Sequence, residues 1–336
     1  MDELSPAKMS ILFPALLLSA NASLQSQPST DWENLYSNLP VVVIDTRGEE
    51  IPDDPKITSW FKIIENGKGI KNNWKQDGTD YDGYAGIELR GQSSQMFPKT
   101  SFTIELRKEN GAYTSAALLG MPAGEDWVLY APYSDKTMLR NTITYYLGNL
   151  MGSWQPHYRF CELYLNGEYY GIYALTESIK RDVSRVDISK LKPDEVSGDD
   201  LTGGYIIKAD KTDGLGPDEY FTITTETQYQ NSGNYDFTYV YPKYDALVPE
   251  QKEYIKKFLI DAQNALNGDD FSDLPDGFRK YFDARSFVDF QIIQELTNNV
   301  DGYKFSTFFY KDKDSKGGRL HAGPLWDFDL CYGNED

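Results

Sequence analysis

NNVDGYKFSTFFYKDKDSKGGRLHAGPLWDFDLCYGN, residues 298–334, combines a short hairpin with carboxylates at both of its ends. FSTFFYKD is strand-like, DSKGG is turn-forming, and RLHAGPLWDF returns along the first strand. Asp301 precedes the hairpin, and Asp327 and Asp329 lie in or after its second strand. A hairpin brings its flanking ends back to one edge, so groups far apart in sequence can converge there. Asp-x-Asp followed by a Gly-Asn turn, with no cation close in sequence, is the donor set of a hard-cation site built from oxygens. If the strand persists through Asp329, period-two spacing puts Asp327 and Asp329 on one face. A structural calcium site or a hydrogen-bonded corner would use the same residues.

Working outward, the helix that delivers the chain to this segment is predicted over Ala284 to Leu296, with Phe287, Phe290, Ile293 and Leu296 on one face. A second helix is predicted from Pro249 to Leu266, and residues 209–245 read as a Tyr-rich β insertion. Upstream, Pro40–Asp45, Ile57–Ile64, Ala85–Arg90, Ser101–Leu106 and Asp126–Ala131 are strand-like. A helix over Lys136 to Met151, capped by Ser134 or Asp135, carries apolar Met138, Leu139, Ile143, Tyr146, Leu147 and Leu150. Residues 161–175 form a hairpin with Asn166-Gly167 at its tip.

Arg90-Gly-Gln-Ser-Ser-Gln-Met-Phe-Pro-Lys99 joins two of these strands. Backbone N–H groups in such a loop, helped by Arg90, Ser93, Ser94 and Lys99, can make an anion pocket suited to phosphate; a solvated hairpin tip is the plainer reading. Lys99 could instead serve as the strand lysine of the β-rich half. Arg140 on the helix could reach a phosphate or a carboxylate, or form a surface salt bridge. Lys208 in GGYIIK is a nucleotide contact or an ordinary strand-edge lysine.

Composition narrows the class. The 336 residues, 40% apolar and 25% charged, suit a soluble globular protein with a substantial core. A net charge of −19 argues against nucleic acid or an anionic membrane as main partner. Lys8, the apolar run Met9–Ala20 and the small residues Ala20-Asn21-Ala22 predict a secretory signal peptide, residues 1–22, followed by a linker over 23–38. No other segment is apolar enough to span a membrane. Cys161 and Cys331 offer no metal spacing, and read as two buried thiols or one bridge. His157 and His321 have no partnered Ser or Cys for a hydrolase triad.

The order of elements, a loop, a helix, two strands, then a helical half with two separated aspartates, resembles a protein kinase. The GxGxxG, HRD and DFG strings of conventional kinases are absent. The strings LRGQSSQMFPKTSFTIEL, DKTMLRN, LYLNGEYYGIYALTE, LTGGYIIKADK and GPLWDFDLCYGN resemble those of the CotH family, spore-coat-type atypical secreted kinases, from about Leu39 to Asn334. That resemblance implies a divergent two-lobed protein-kinase-like α+β fold. Its β-rich N-lobe would cover residues 39–176 and its mainly helical C-lobe residues 177–336, with further helices expected after Asp336.

It implies ATP and Mg²⁺ or Mn²⁺, and phosphotransfer to Ser or Thr of extracellular or surface proteins, with Asp301 as catalytic base and Asp327 and Asp329 on the metal. Read alone, Asn-Val-Asp-Gly is a common turn. Ser306 stands where a conventional kinase has a second metal-binding Asn. Glu177, after the hinge strand, would lie near the adenine or remain a solvated loop charge. The acidic surface favours a basic, Ser/Thr-rich acceptor. Two other classes compete: a non-catalytic surface module binding protein or glycan on a degenerate kinase-like fold, and a carboxylate-pair glycosidase, for which Asp327 and Asp329 are too close to act as an inverting pair.

Overall fold

Alternation of apolar and polar residues builds the first half of the molecule. In β4 (Ser101–Arg107), Phe102, Ile104 and Leu106 are buried while Thr103 and Glu105 are only partly so, as a pleated strand with one face on a core requires. The same logic places β1 (Val41–Asp45), β2 (Ile57–Ile64), β3 (Tyr81–Arg90), β5 (Asp126–Tyr130), β6 (Tyr158–Leu165) and β7 (Glu168–Glu177). In the computed structural model, which describes residues 32–226, 232–273 and 276–335, these seven strands close into a barrel in the order β1-β2-β3-β4-β5-β7-β6. Closure comes from the parallel pairing of β1 with β6, Val41 beside Glu162 and Ile44 beside Leu165. The β6–β7 turn is the Asn-Gly hairpin the sequence predicts, with Asn166 at φ 53° and Gly167 at φ 83°.

The second half contributes another sheet. β8 (Tyr205–Ala209), β9 (Tyr220–Glu226), β10 (Ser232–Tyr241), β11 (Thr307–Lys311) and β12 (Leu320–Ala322) are ordered β12-β11-β8-β10-β9. Among the described residues four helices accompany the two sheets: α1 (Arg140–Leu150), the single-turn α2 (Gly198–Leu201), α3 (Pro249–Asn267) and α4 (Ala284–Thr297). The chain divides into Met1–Leu35, of which a 3₁₀ turn at Trp32–Asn34 is described, and Tyr36–Asp336, which holds both sheets. The expected signal segment 1–22 lies outside the described residues.

The expected two-lobed kinase-like α+β fold with a mainly helical C-lobe is therefore corrected. The molecule is mostly β, a closed seven-stranded barrel plus a five-stranded sheet. Residues 209–245 are the source of the discrepancy. They supply β9 and β10, and β10 pairs with β8 through Phe237 and Ala209, which makes that region part of the sheet rather than an insertion.

Helix α1 departs from its pattern in a different way. An apolar stripe ordinarily faces the core, yet Ile143, Tyr146 and Leu150 are 46%, 56% and 66% exposed while Asn141, Thr144 and Tyr145 are buried. The helix also starts four residues later than predicted. Asp135 accepts from the backbone N–H groups of Thr137 and Arg140 at 3.0 and 2.8 Å, holding residues 136–139 as a turn. Cys161 and Cys331 are both buried free thiols. Among the described residues no helix is long and apolar enough to cross a membrane.

Candidate functional site

The β11–β12 hairpin does return its ends to one place. Ser306, immediately before β11, donates from Oγ to Asp327 Oδ2 at 3.1 Å. Asp329 Oδ2 accepts from Ser134 Oγ at 2.8 Å, and the Asp329 carbonyl accepts from Asn334 Nδ2 at 2.7 Å. Asp301 sits in the turn before Ser306, its N–H donating to Asn299 Oδ1 at 3.2 Å. Asp327 and Asp329 do not share a strand face, because β12 ends at Ala322. They meet because Asp327 adopts φ 65°, a left-handed conformation uncommon outside glycine. Phe328 between them is fully buried and anchors the loop.

That loop hangs on the polar side of α1. Asn141 Oδ1 accepts from the Phe328 N–H at 2.6 Å, and Gln155 Oε1, just past the helix, accepts from the Leu325 N–H at 2.6 Å. Arg140 Nε donates to the Cys331 carbonyl at 2.9 Å while its guanidinium pairs with Asp135. Tyr332 closes the loop, its N–H donating to the Thr297 carbonyl at 2.6 Å and its hydroxyl 3.0 Å from Thr144 Oγ1. The outward stripe on α1 thus has a local cause, since the inward positions are taken by polar side chains that satisfy the loop backbone.

Electrostatics single out Asp327. It keeps exposed surface, but protein atoms crowd its carboxyl, and this desolvation, with Asp329 and then Asp301 nearby, pushes it up to about 7. Two carboxylates within hydrogen-bonding reach of each other share a proton unless a cation separates them. Tyr145 and Tyr130 stand beside the pair; burial raises both phenols first, and the Asp327 and Asp329 charges raise them further.

Of the cations expected to meet phosphate, Arg90 is at the loop. Its guanidinium lies 5.2 Å from the Trp326 ring centroid; burial lowers its pKa, and the nearby Asp327 and Glu88 carboxylates oppose that. Lys208 is also near, but not at a strand edge, since β8 is paired on both sides. Its Nζ is 2.5 Å from Asp210, which in turn accepts from the Ser306 N–H at 3.4 Å. Gly91 at φ 101° shapes the loop after Arg90, because a Cβ there would meet Ser94 Oγ at 1.9 Å. The Ser93 side chain lies outside the described residues.

The other expected contacts are held elsewhere. Lys99 Nζ donates to the Ile172 carbonyl at 2.5 Å and sits 4.6 Å from the Tyr173 ring; burial lowers its pKa, and the nearby Glu162 carboxylate opposes that. Arg140 braces the loop backbone as described. Glu177 is neither a solvated charge nor an open-cleft residue: it is fully buried, 2.7 Å from His157 Nδ1 and 3.1 Å from Arg185. Ser134, Asn141, Tyr145, Asp210 and Trp326 were not singled out as site residues. Asn141, Asp210 and Trp326 lie within the strings that resemble the family, while Ser134 and Tyr145 arrive through long-range packing. A cavity of about 400 Å³ between α3 and the β11–β12 turn, lined by Tyr254, Phe258 and Tyr281, shares no residue with the acidic loop.

A family model described as CotH kinase protein matches residues 87–336. The chain belongs to the CotH kinase family. No curated protein matches it. The CotH kinase match takes in Arg90, Lys208, Asp301, Asp327 and Asp329 and leaves out β1 and β2. Membership in the CotH kinase family suggests a kinase-related function. Among the described residues no group of three or more His, Cys, Asp or Glu side chains is arranged to hold a metal. Two adjacent carboxylates with a serine hydroxyl fit the lighter requirement of Mg²⁺, which takes one or two carboxylates and completes its shell with water and phosphate oxygens.

Proposed function

We propose that this protein is a secreted kinase that transfers the γ-phosphoryl group of ATP to Ser or Thr hydroxyls of an extracellular or surface protein. The observation carrying the reading is the pairing of Asp327 with Asp329 beside the half-buried Arg90, with Asp301 close enough for its charge to act on Asp327. Such a pair is costly without a counter-ion and is relieved by one. Asp327 and Asp329 would hold the divalent cation, with the Ser306 hydroxyl at its side. When bound, the cation neutralises negative charge building on the transferred phosphoryl group.

Arg90, its plane set against Trp326, supplies a fixed positive charge toward the nucleotide phosphates, and Lys208 is the second cation available to them. Asp301 accepts the proton of the attacking hydroxyl, the role a carboxylate at the edge of the phosphate site can perform. A chain of net charge −19 attracts basic acceptors, and the N-terminal signal would carry it out of the cell.

The test is transfer of labelled γ-phosphate to a basic Ser/Thr-rich protein in Mg²⁺ or Mn²⁺. The wild type transfers label, Asp301→Asn loses about 10²-fold or more, and raising salt slows the reaction. Transfer undiminished in Asp301→Asn would remove that residue as the base. A folded wild type that transfers nothing to any basic acceptor would sink the kinase reading.

A further inference from the structure

Asp210 immediately follows the central strand β8, its N–H donating to the Asp236 carbonyl of β10 at 3.4 Å, and its side chain touches both sides of the site. One carboxylate oxygen is 2.5 Å from Lys208 Nζ. The other accepts from the Lys211 N–H at 2.9 Å and from the Ser306 N–H at 3.4 Å. Ser306 then passes the contact on, its hydroxyl donating to Asp327 Oδ2 at 3.1 Å. A polar chain therefore runs Lys208, Asp210, Ser306, Asp327 from the floor of the sheet to the acidic loop.

The segment held by this chain is also tied to α4 at Tyr303, whose hydroxyl donates to Glu295 Oε1 at 2.8 Å and whose ring packs on Phe290, but that tether lies at the outer side of the turn, away from Ser306. Tyr303 and Lys304 are exposed, and the turn closes on itself through Lys304 and Phe305 N–H groups donating to the Asp301 carbonyl at 3.3 and 3.1 Å. Tyr303 and Ser306 adopt left-handed φ values of 69° and 48°. Non-glycine residues keep such conformations when surrounding contacts over-determine them. For Ser306 those contacts are β11 on one side and Asp210 and Asp327 on the other.

We infer that Asp210 is a positioning residue: it ties the Asp301–Ser306 turn to β8 and, through Ser306, fixes the separation of Asp301 from Asp327. This rests on the kinase reading of the same site. Misplacement of a reacting group by about an ångström can cost 10²-fold in rate. The loss falls on kcat through the turn, and a smaller effect falls on KM, since Asp210 also pairs with Lys208, the second cation offered to the phosphates.

Asp210→Ala and Asp210→Asn test it, with transfer kinetics over a range of Mg²⁺–ATP concentrations and hydrogen exchange followed by mass spectrometry. Asp210→Ala is expected to lower kcat about 10²-fold, to shift KM for Mg²⁺–ATP by less than that as Lys208 loses its partner, and to quicken exchange in residues 301–306 alone. Asp210→Asn keeps an oxygen for the Ser306 N–H and restores slow exchange and much of kcat. If Asp210→Ala matches wild type in both readouts, the inference is overturned. It is overturned equally if exchange quickens across both sheets and Asp210→Asn rescues nothing, the signature of a residue needed only for stability. A wild type inactive on every acceptor removes the kinase reading, and the exchange comparison still decides whether Asp210 anchors the turn.

Discussion

Asp327 holds a proton across a pH range in which an isolated aspartate is ionised. Its carboxyl is pushed up to about 7 by desolvation and by Asp329, whereas the unfolded chain titrates near 3.8. Between those values the native state binds the extra proton, so stability is greatest at the acid end and is lost as pH rises through about 7. Because the residue is open to solvent, the full shift is discounted to about 1 kcal/mol. Urea denaturation of metal-free protein should show that loss between pH 5 and pH 8, Asp327→Asn should flatten it, and added Mg²⁺ should restore stability at pH 8. Glu177 behaves oppositely in kind. Removing one partner of a fully buried ion pair costs about 3–5 kcal/mol, so Glu177→Ala should lose that much in denaturation while the folded fraction binds nucleotide as before. The pairing of Asp327 with Asp329 was legible because Asp-x-Asp after a strand is a local pattern, whereas Asp301, read alone a common turn residue, was singled out only through the family resemblance. The burial of Glu177 was not legible, since it depends on Arg185 and His157, brought in by tertiary packing.

Helix α1 shows where hydrophobic patterning misleads. Its apolar stripe faces outward because the inward positions serve the backbone of residues 325–332. Ile143→Lys and Leu150→Lys, changing exposed positions, should each alter stability by no more than about 0.5 kcal/mol in thermal or urea unfolding. Asn141→Ala leaves the buried Phe328 N–H without its acceptor and should cost about 1–3 kcal/mol, with weaker nucleotide binding as the loop loosens. A larger effect from Ile143→Lys than from Asn141→Ala would reverse this view of the helix. Strands were read more safely than helix faces. Ile57–Ile64 and the Asn166-Gly167 hairpin appear as the residues predict, because alternation and turn chemistry are local, whereas the side of a helix that meets the core is set by what packs on it.

At the scale of the whole molecule, two non-local pairings escaped the sequence. Parallel β1 and β6 are more than a hundred residues apart, and β11 pairs with β8 across the intervening β9, β10, α3 and α4. No local pattern specifies such partners, so a helix-rich second half was expected where a sheet forms. That sheet is nevertheless what assembles the site, since β8 delivers Lys208 and Asp210 to the start of β11, and the β11–β12 hairpin delivers Asp301 and Asp327. On the proposed function this convergence makes a metal-dependent nucleotide site, which calorimetric titration of ATP with Mg²⁺ or Mn²⁺ into the wild type and Asp327→Ala puts to the test. The wild type is expected to bind ATP only with metal present, and Asp327→Ala to lose that binding. Absence of binding by folded wild type, or binding unchanged by Asp327→Ala, would contradict the proposed function.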